Sequence, residues 1–297
     1  MNKSIKVISL STKDIFMNTI FHQTVKIIRN EAVGDQIWRI RIASKEIART
    51  VKPGQFCMLR LPGFHAPLLG RPLAIFRADS DSIDVVYAVV GKGTELMAKF
   101  VPGQDIEIWG PLGNGFPLNS DKTQWPTRPL LVAGGIGQTP MFLLAQAFLN
   151  ESRTEKVTLL WGGRDKAHLA CLEDFEELAA QFPGRLEILN ATDDGSYAHH
   201  GFVTELEKEQ LDSGEFTSEN SCVYSCGPEP MLKKVAELAQ NASLTCWVSL
   251  ETPMACGMGI CFTCITKCKD KNAPEGWDYC RTCTEGPVFN AEKLVWE

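Results

Sequence analysis

The sequence has no apolar segment long enough to cross a membrane and no run of basic residues. A membrane-spanning helix needs roughly 18 or more apolar residues in succession, and no stretch of the 297-residue chain approaches that length. The 30 basic and 36 acidic residues give a net charge of −6, which argues against a nucleic-acid-binding surface. The opening segment mixes charges with apolar residues and lacks a signal-peptide core. We therefore expect a cytoplasmic protein.

Cysteine, in contrast, is abundant and unevenly distributed. Six of the 11 cysteines lie between Glu251 and Phe289. An odd total in a chain without an export signal indicates a reducing compartment, in which thiols remain free. We expect most of the cysteines outside this segment to be packed thiols without a chemical role. These residues are Cys57, Cys171, Cys222, Cys226 and Cys246.

The apolar pattern divides the chain into zones. Residues 1–21 form an N-terminal extension, and residues 22–122 contain short alternating or β-branched segments separated by Pro-Gly pairs, which predict an antiparallel β-barrel or sandwich. Residues 123–243 repeat the order strand, turn, helix, which predicts a parallel α/β nucleotide-binding domain. Residues 244–297 contain the cysteine-rich segment and form a third, small module. The fold class is therefore multidomain.

Two turns of the α/β zone favour a nucleotide site. The first contains Gly135 and Gly137, follows an apolar strand and precedes a helix, but Pro140 stands where the dinucleotide fingerprint has its third glycine. The second also joins a strand to a helix and consists of Cys226, Gly227 and Pro228. Either turn alone could be a plain connection. Because open α/β sheets bind ligands at the carboxyl edge of their strands, the two together favour nucleotide binding.

The cysteine-rich segment predicts an iron-sulfur cluster. Cys256, Cys261 and Cys264 have the spacing C-x4-C-x2-C, which holds a plant-type [2Fe-2S] cluster with a fourth cysteine further along the chain. Gly257 and Gly259 lie in the first gap, where a loop must approach inorganic sulfide closely. Zinc bound by four of these thiols is the main alternative, although C-x4-C is not its usual first pair.

Three cysteines compete for the place of the fourth ligand. Cys268 follows Cys264 after only three residues, so we expect it to crowd onto the same short loop. Cys280 and Cys283 return after a polar excursion. Cys283 is preferred because a turn and the strand start Val288-Phe289 follow it and would anchor it. Cys280 remains its rival.

Two segments of the barrel zone suit a phosphate-bearing ligand. Arg71 places a cation in a turn before a strand, and Gly93 and Thr94 place a small residue and a hydroxyl at a helix start. Each alone is more often a surface ion pair or a helix cap. Together, beside a nucleotide domain and a cluster motif, they indicate a flavin. A flavin also suits the chemistry, because nicotinamide exchanges a hydride whereas a cluster exchanges single electrons.

These motifs recur in one known family. They are Arg71-Pro72-Leu73-Ala74, Gly91-Lys92-Gly93-Thr94, the turn from Gly134 to Pro140, Thr192 to Ser196 with Gly201 to Thr204, Cys226-Gly227-Pro228, Glu251 with the cysteine loop to Cys264, and Cys283 to Phe289. With this combination the chain resembles the electron-transfer subunit of NAD-dependent dihydroorotate dehydrogenase B, within the ferredoxin-NAD(P) reductase superfamily. The resemblance covers almost all of the chain after about residue 22.

The resemblance implies three cofactors and a partner. It implies an FAD-binding barrel, an NAD-binding domain and a [2Fe-2S] module that faces a separate catalytic subunit carrying FMN, in a heterotetramer of two plus two chains that serves pyrimidine biosynthesis. The residues implied to contact FAD are Arg71, Pro72, Leu73, Ala74, Val86, Tyr87, Ala88, Gly93 and Thr94. The implied cluster ligands are Cys256, Cys261, Cys264 and Cys283. No side chain of this chain is implied to act as a catalytic acid or base.

One residue departs from the family pattern, and another leaves the choice between NAD and NADP open. Ala74 stands where the family usually has serine, so a hydroxyl that could bond the flavin is absent. Arg164 ends the second strand of the α/β zone without the acidic residue that would mark NAD, so the choice of NAD over NADP rests on the resemblance. A stand-alone reductase that serves a soluble carrier or an oxygenase is the alternative function, and a zinc-stabilised binding protein is the non-enzymatic one.

Overall fold

The N-terminal part of the chain folds into a closed barrel of antiparallel strands. The computed structural model describes residues 19–63, 67–119 and 125–296. The barrel strands are β1 (Phe21–Gly34), β2 (Ile37–Ala43), β3 (Phe56–Arg60), β4 (Arg71–Ala78), β5 (Ser82–Ala88) and β6 (Asp105–Leu112), and two short helices, α1 (Lys45–Thr50) and α2 (Lys92–Met97), connect them. The hydrogen-bonded order is β1-β2-β5-β4-β3-β6, which confirms the predicted barrel.

The barrel forms because apolar side chains alternate along its strands. In β2, Ile40 and Ile42 are fully buried, whereas the intervening Arg41 is partly exposed. Successive side chains of a strand point to opposite faces, so this alternation directs one face of each strand to the interior. Pro-Gly turns then reverse the chain, and Gly54 and Gly103 adopt the positive φ angles that such turns favour.

The second part of the chain is an α/β domain. Its strands are β7 (Leu130–Gly134), β8 (Val157–Gly163), β9 (Leu186–Thr192), β10 (His199–His200), β11 (Val223–Cys226) and β12 (Cys246–Ser249). Its helices are α3 (Thr139–Leu149), α4 (Leu172–Gln181), α5 (Val203–Asp212) and α6 (Glu229–Asn241). A short 3-10 helix, Gly135–Gln138, forms the predicted turn between β7 and α3. The strands pair in parallel in the order β10-β9-β8-β7-β11-β12, which confirms the predicted parallel sheet.

The C-terminal segment both completes this sheet and extends from it. Strand β15 (Val288–Asn290) pairs antiparallel with β12 at the edge of the sheet. Between β12 and β15 the chain leaves the sheet, forms the cysteine loop, and then makes a hairpin of β13 (Ile265–Lys269) and β14 (Trp277–Arg281). The cluster module is therefore anchored to the α/β domain by two of its own strands.

The barrel and the α/β domain share one hydrophobic core. Phe76 of β4 packs against Phe142 of α3 with ring centroids 4.8 Å apart, and both side chains are fully buried. A buried ion network lies beside them. Arg39 of β2 donates from Nε to Oδ2 of Asp84 at 2.9 Å and from NH1 to Asp174 of α4 at 2.9 Å. The two domains therefore hold each other in a fixed orientation, which gives the cleft between them a defined shape.

Part of the predicted N-terminal extension and one predicted domain boundary lie outside the described residues. Residues 1–18 of the predicted N-terminal extension and the predicted boundary between residues 122 and 123 both fall outside the described ranges. Within residues 19–63, 67–119 and 125–296, no helix has both the length and the apolar character needed to cross a bilayer.

Candidate functional site

A cleft of about 480 Å³ lies where the barrel meets the α/β domain. Strands β4 and β5 form one wall, and the start of α3 and the end of β11 form the other. Many of the residues predicted to bind cofactor line it: Arg71, Pro72, Leu73, Ala74, Val86, Tyr87, Ala88, Thr94 and Cys226. The cleft thus brings the barrel motifs and one turn of the α/β domain to a common space.

Of a third wall of this cleft, the sequence motifs include only Glu251. Residues 249–254, which begin at the last residue of β12, line the cleft together with Phe56 of β3. The signal was present, because β12 is a strand of the parallel sheet and its carboxyl end must lie at the ligand-binding edge. Ser249 and Thr252 place hydroxyl-bearing side chains in the wall, and Thr139 of α3 adds another. Hydroxyls thus remain in the cleft that Ala74 lines, although on other walls.

Arg71 and Gly93 are in direct contact at one end of the cleft. A Cβ atom added to Gly93 would come within 2.0 Å of Nε of Arg71, so a larger residue at this position would displace the guanidinium. The guanidinium donates to the carbonyl of Leu69, and burial lowers its pKa from the ordinary value. A fixed cation with donors to spare is suited to a phosphate group.

Thr94 closes the turn that precedes α2. Its hydroxyl accepts from the backbone N–H of Val90 at 3.0 Å and donates to the carbonyl of Gly91 at 2.9 Å. The hydroxyl therefore acts as a cap that shapes the turn, while the residue also lines the cleft.

The two glycine turns of the α/β domain touch each other. A Cβ on Gly137 would lie 2.2 Å from the carbonyl oxygen of Cys226, and one on Gly227 would lie 3.0 Å from the backbone of Gly134. Strands β7 and β11 are neighbours in the sheet although they are far apart in sequence, so the turns meet at a point where the strand order reverses. Trp161 of β8 braces the first turn by donating from Nε1 to the carbonyl of Gly135 at 3.0 Å.

Gly227 and Pro228 line a second, smaller cavity. It has a volume of about 220 Å³ and shares Leu250, Glu251 and Thr252 with the larger cleft. Glu251 is exposed, but it lies in a concave wall, where desolvation raises the pKa of its carboxyl above the ordinary value. Burial, with the charge of Glu251 acting in the same direction, also raises the pKa of the Cys226 thiol. Both groups are therefore biased towards their protonated forms.

The cysteine loop brings the four predicted ligands together in two pairs. The thiol of Cys261 contacts that of Cys256, and the thiol of Cys283 contacts that of Cys264. The Cys261 thiol is exposed, whereas those of Cys264 and Cys283 are buried. Among the residues in the described ranges, no three His, Cys, Asp or Glu side chains are grouped closely enough to hold one metal ion. Four thiols in two pairs are the ligand set of a [2Fe-2S] cluster.

Backbone and hydroxyl donors surround the sulfur atoms of these pairs. The backbone N–H of Gly259 donates to Sγ of Cys283 at 3.1 Å, and the hydroxyl of Thr263 donates to Sγ of Cys261 at 3.3 Å. Hydrogen bonds from Thr263, and then the contact with Cys256, lower the pKa of the Cys261 thiol to about 6. Burial instead raises the pKa of Cys283 to about 12, so this thiol needs a bound cation to become a thiolate.

The structure corrects the expected position of Cys268. Strand β13 begins at Ile265, so Cys268 lies within a strand and not on the loop of Cys264. Its side chain is buried among the residues of the α/β core, and its thiol contacts Cys280 on β14. Cys268 and Cys280 thus form a separate pair on the hairpin, while Cys283 lies with the loop cysteines.

The barrel holds the first part of the cysteine loop. Trp109 of β6 donates from Nε1 to the carbonyl of Cys256 at 3.1 Å. A Cβ on Gly257 would lie 2.8 Å from Cγ of Met58, and Gly257 has a φ of +70°, so this position requires glycine on two grounds. Phe56, which lines the cleft, packs in one apolar cluster with Cys264 and Cys283. The cleft and the thiols therefore lie on two sides of the same side chains.

Comparison with protein families assigns two segments of the chain. Residues 131–237 match the model described as the oxidoreductase NAD-binding domain. Residues 251–295 match the model described as the iron-sulfur cluster binding domain of dihydroorotate dehydrogenase B.

Related sequences cover most of the chain. It is 38% identical over 240 residues to the dihydroorotate dehydrogenase B (NAD(+)) electron transfer subunit of Clostridium perfringens, an alignment that spans 81% of this chain and 85% of that one. It is 33% identical to the subunit of the same name from a Geobacillus species, over 92% of this chain and 98% of the relative.

Solved structures share the fold. An NADH-dependent reduced ferredoxin-NADP oxidoreductase, described in the context of flavin-based electron bifurcation, superposes with a TM-score of 0.76 at 24% identity, over 92% of this chain and 90% of that one. A ferredoxin NADP+ reductase from Neisseria gonorrhoeae with bound FAD and NADP superposes with a TM-score of 0.60 at 19% identity, over 74% of this chain and 91% of that one.

Proposed function

Because the chain belongs to the family of dihydroorotate dehydrogenase B (NAD(+)) electron transfer subunits, we propose that it relays electrons from a catalytic subunit, through a [2Fe-2S] cluster and FAD, to NAD+. The single observation that carries this proposal is the shared wall between the cleft and the thiols. Phe56 lines the cleft and packs with Cys264 and Cys283. A flavin bound in the cleft and a cluster bound by these thiols would be separated by this small apolar cluster, an arrangement that suits direct electron transfer between them.

The residues of the cleft fit FAD. Arg71 supplies a cation above Gly93, where a Cβ would fill the space. Residues 72–74 and 86–88, on β4 and β5, supply a largely apolar wall for the ring system. When bound, FAD exchanges a hydride with nicotinamide and single electrons with the cluster. The chain itself binds, orients and excludes water, and it needs no catalytic acid or base for this exchange.

The contacting turns of β7 and β11 are the proposed site of NAD(H). Gly135 and Gly137 lie in the first turn, and Cys226, Gly227 and Pro228 form the second. The 3-10 helix Gly135–Gln138 continues directly into helix α3, and the N-terminal end of this helical segment suits a pyrophosphate. Thr139 and Pro140, at the start of α3, also line the large cleft, so a nucleotide bound here reaches the flavin site.

The surface around Cys261 is the proposed docking site of the catalytic subunit. Met258, Ile260 and Phe262 are 45%, 74% and 60% exposed, which makes the tip of the cysteine loop apolar. Exposed apolar side chains next to one another favour a protein interface. A catalytic subunit that carries FMN would here cover the exposed thiol Cys261. We propose an assembly of two copies of each chain, located in the cytoplasm and active in pyrimidine biosynthesis.

We propose a domain division that follows the sequence. Residues 1–21 are the extension, 22–122 the FAD domain, 123–243 the NAD domain and 244–297 the cluster module. Strands β12 and β15 of the last segment serve as edge strands of the NAD domain. This sharing ties the cluster rigidly to the nucleotide site.

Anaerobic spectroscopy of the purified chain tests the proposed function. We expect flavin bands together with broad iron-sulfur absorption. Both absorptions should bleach when the protein is mixed with NADH, and they should bleach more slowly with NADPH. Co-expression with an FMN-bearing dihydroorotate dehydrogenase chain should give one co-purifying complex that reduces NAD+ with dihydroorotate. Absence of iron-sulfur absorption would contradict the relay. Full spectra and NADH bleaching, with no complex formed, would favour a stand-alone reductase.

Replacement of Cys283 by serine tests the fourth ligand. We expect Cys283→Ser to lose most of its iron and inorganic sulfide while it keeps FAD, because serine is a poor substitute for a thiolate ligand. Cys280→Ser is the matched control and should keep full iron content, since the thiol of Cys280 contacts Cys268 on the hairpin. Iron and flavin are measured per chain on anaerobically purified protein. The opposite pattern in the two variants would assign the site to Cys280.

A further inference from the structure

Arg281 contacts the cysteine loop from the C-terminal hairpin. It is the last residue of β14 and precedes Cys283 by two positions. Its NH1 donates to the carbonyl of Gly259 at 3.2 Å, and its guanidinium lies 5.4 Å from the ring centroid of Phe262. The Arg281 side chain thus contacts the cysteine loop at two points. Gly259 lies between Cys256 and Cys261, and Phe262 lies between Cys261 and Cys264.

The loop residue that Arg281 holds is the one that donates to a ligand sulfur. The backbone N–H of Gly259 donates to Sγ of Cys283 at 3.1 Å. The N–H and the carbonyl of Gly259 belong to different peptide units, so Arg281 fixes the residue on one side while Cys283 takes its hydrogen bond on the other. Gly259 has a φ of +79°, a conformation that glycine adopts readily and that places its N–H and its carbonyl in these two contacts.

Glu285 orients the arginine. Its Oε2 accepts from Nε of Arg281 at 3.2 Å and from the backbone N–H of Arg281 at 2.8 Å. The carboxylate therefore binds the inner edge of the guanidinium and leaves NH1 directed at the loop. Arg281, Glu285 and the turn that carries Cys283 form one connected unit.

We propose that Arg281 is a positioning residue that fixes Gly259 against Cys283 and thereby raises the reduction potential of the cluster. The physical reason is that reduction adds negative charge to the cluster, and N–H donors to its sulfur atoms stabilise that charge. A loop released from Arg281 loses the alignment of the Gly259 donor. The inference rests on the proposed function, because it requires the [2Fe-2S] cluster.

The test is a redox titration of the full chain, followed by electron paramagnetic resonance, with iron measured on the same samples. Arg281→Met removes every side-chain donor and the charge but keeps an unbranched, flexible side chain, and we expect a more negative midpoint potential at full iron content. Arg281→Lys keeps a donor and the charge and should restore part of the shift. Arg153→Met is the matched control, because Arg153 also pairs with a glutamate and stacks on an aromatic ring, in the α/β domain.

The outcomes separate this inference from the proposed function. A more negative potential in Arg281→Met, an unchanged one in Arg153→Met and an intermediate one in Arg281→Lys support it. Loss of iron from Arg281→Met alone, with flavin retained and Arg281→Lys replete, also supports a positioning role. An unchanged potential in iron-replete Arg281→Met overturns the inference and leaves the relay intact. Wild-type protein without iron overturns the proposed function itself.

Discussion

Replacement of Arg39 by methionine is expected to lower the free energy of unfolding by about 3–5 kcal/mol, the usual cost of removing one partner from a buried ion pair. Arg39 is 7% exposed and pairs with two carboxylates. One belongs to Asp84, which is 1% exposed, and the other to Asp174 of α4. Burial alone lowers the pKa of its guanidinium, but the hydrogen bonds and charges of both partners outweigh that effect and leave the pKa raised. Methionine keeps an unbranched, flexible side chain and removes the charge and the donors.

The carboxylate that Arg39 leaves behind accounts for most of this expected loss. Asp174 would keep Arg77, whose NH2 lies 3.2 Å from its Oδ1. Asp84 would keep only Arg41, whose Nε lies 3.7 Å from its Oδ1. A buried carboxylate without a close cation is costly, whereas replacing both members of a pair by apolar residues is often neutral. The double variant Arg39→Met, Asp84→Leu should therefore regain much of the lost stability.

Urea unfolding followed by circular dichroism measures these differences. Lys26→Met is the control, because Lys26 pairs with Asp105 at 2.8 Å on the surface and such pairs contribute about 0–1 kcal/mol. Because the network joins the barrel to α4, we also expect the single unfolding transition of the wild-type protein to divide into two in Arg39→Met. Equal stability of Arg39→Met and Lys26→Met would show that the network does not hold the domains together.

Local sequence patterns predicted most elements of the fold. The order strand, turn, helix that was predicted for residues 123–243 is present, with α3 at Thr139–Leu149 and α4 at Leu172–Gln181. Helix α3 is apolar along almost its whole length, α4 has one apolar face, and turn residues flank both, which are local signals. Glycine positions were equally informative, because Gly137 and Gly93 each leave room for a specific neighbour. Close approach of this kind is what glycine permits.

Pairings between distant segments could not be predicted in the same way. Arg39 and Asp174 are 135 positions apart, and neither stands in a motif. Strand β15 has three residues and gains its place only by pairing with β12, after the whole cluster module has intervened. Short edge strands carry a weak periodic signal, so tertiary contacts decide them.

The candidate site shows the same division. The motif residues of β4 and β5 were named from the sequence and line the cleft, but of the wall at residues 249–254 only Glu251 was named. Its place follows from the order of the strands, which no local pattern encodes. The expectation for Cys268 was wrong for a related reason. Loop length alone could not reveal that a strand begins directly after Cys264 and turns Cys268 towards the α/β core.

The second large effect is expected from the replacement of a buried carboxyl group in the α/β domain. Glu207 of α5 is fully buried, and neither of its carboxyl oxygens has a hydrogen-bond partner in the described part of the chain. It belongs to a helix face that packs on the core, where Leu206 and Val203 are also buried. Desolvation raises its pKa from 4.5 to about 9, although the positive charge of Lys234 acts in the opposite direction. The folded protein therefore holds Glu207 protonated at neutral pH.

Glu207→Gln is expected to stabilise the protein by about 3 kcal/mol at pH 7, with a difference that depends on pH. The unfolded chain releases the proton of Glu207 near pH 4.5, whereas the folded chain keeps it to about pH 9. Wild-type stability therefore falls by about 1.4 kcal/mol for each pH unit between these values. Glutamine resembles the protonated acid in shape and polarity and does not titrate. The two proteins should be equally stable below pH 4.5 and differ increasingly above it.

Unfolding by urea at a series of pH values isolates this contribution, because all other groups are common to both proteins. Glu209→Gln is the matched control, since Glu209 lies on the exposed face of the same helix and its replacement should leave the pH profile unchanged. The free energy of unfolding of Glu207→Gln should exceed that of the wild type by an amount that increases from pH 5 to pH 9. This increase follows only if the folded state keeps the proton. If the carboxyl were ionised in the folded state, its charge would need a partner, and Glu207→Gln would show no such pH-dependent gain.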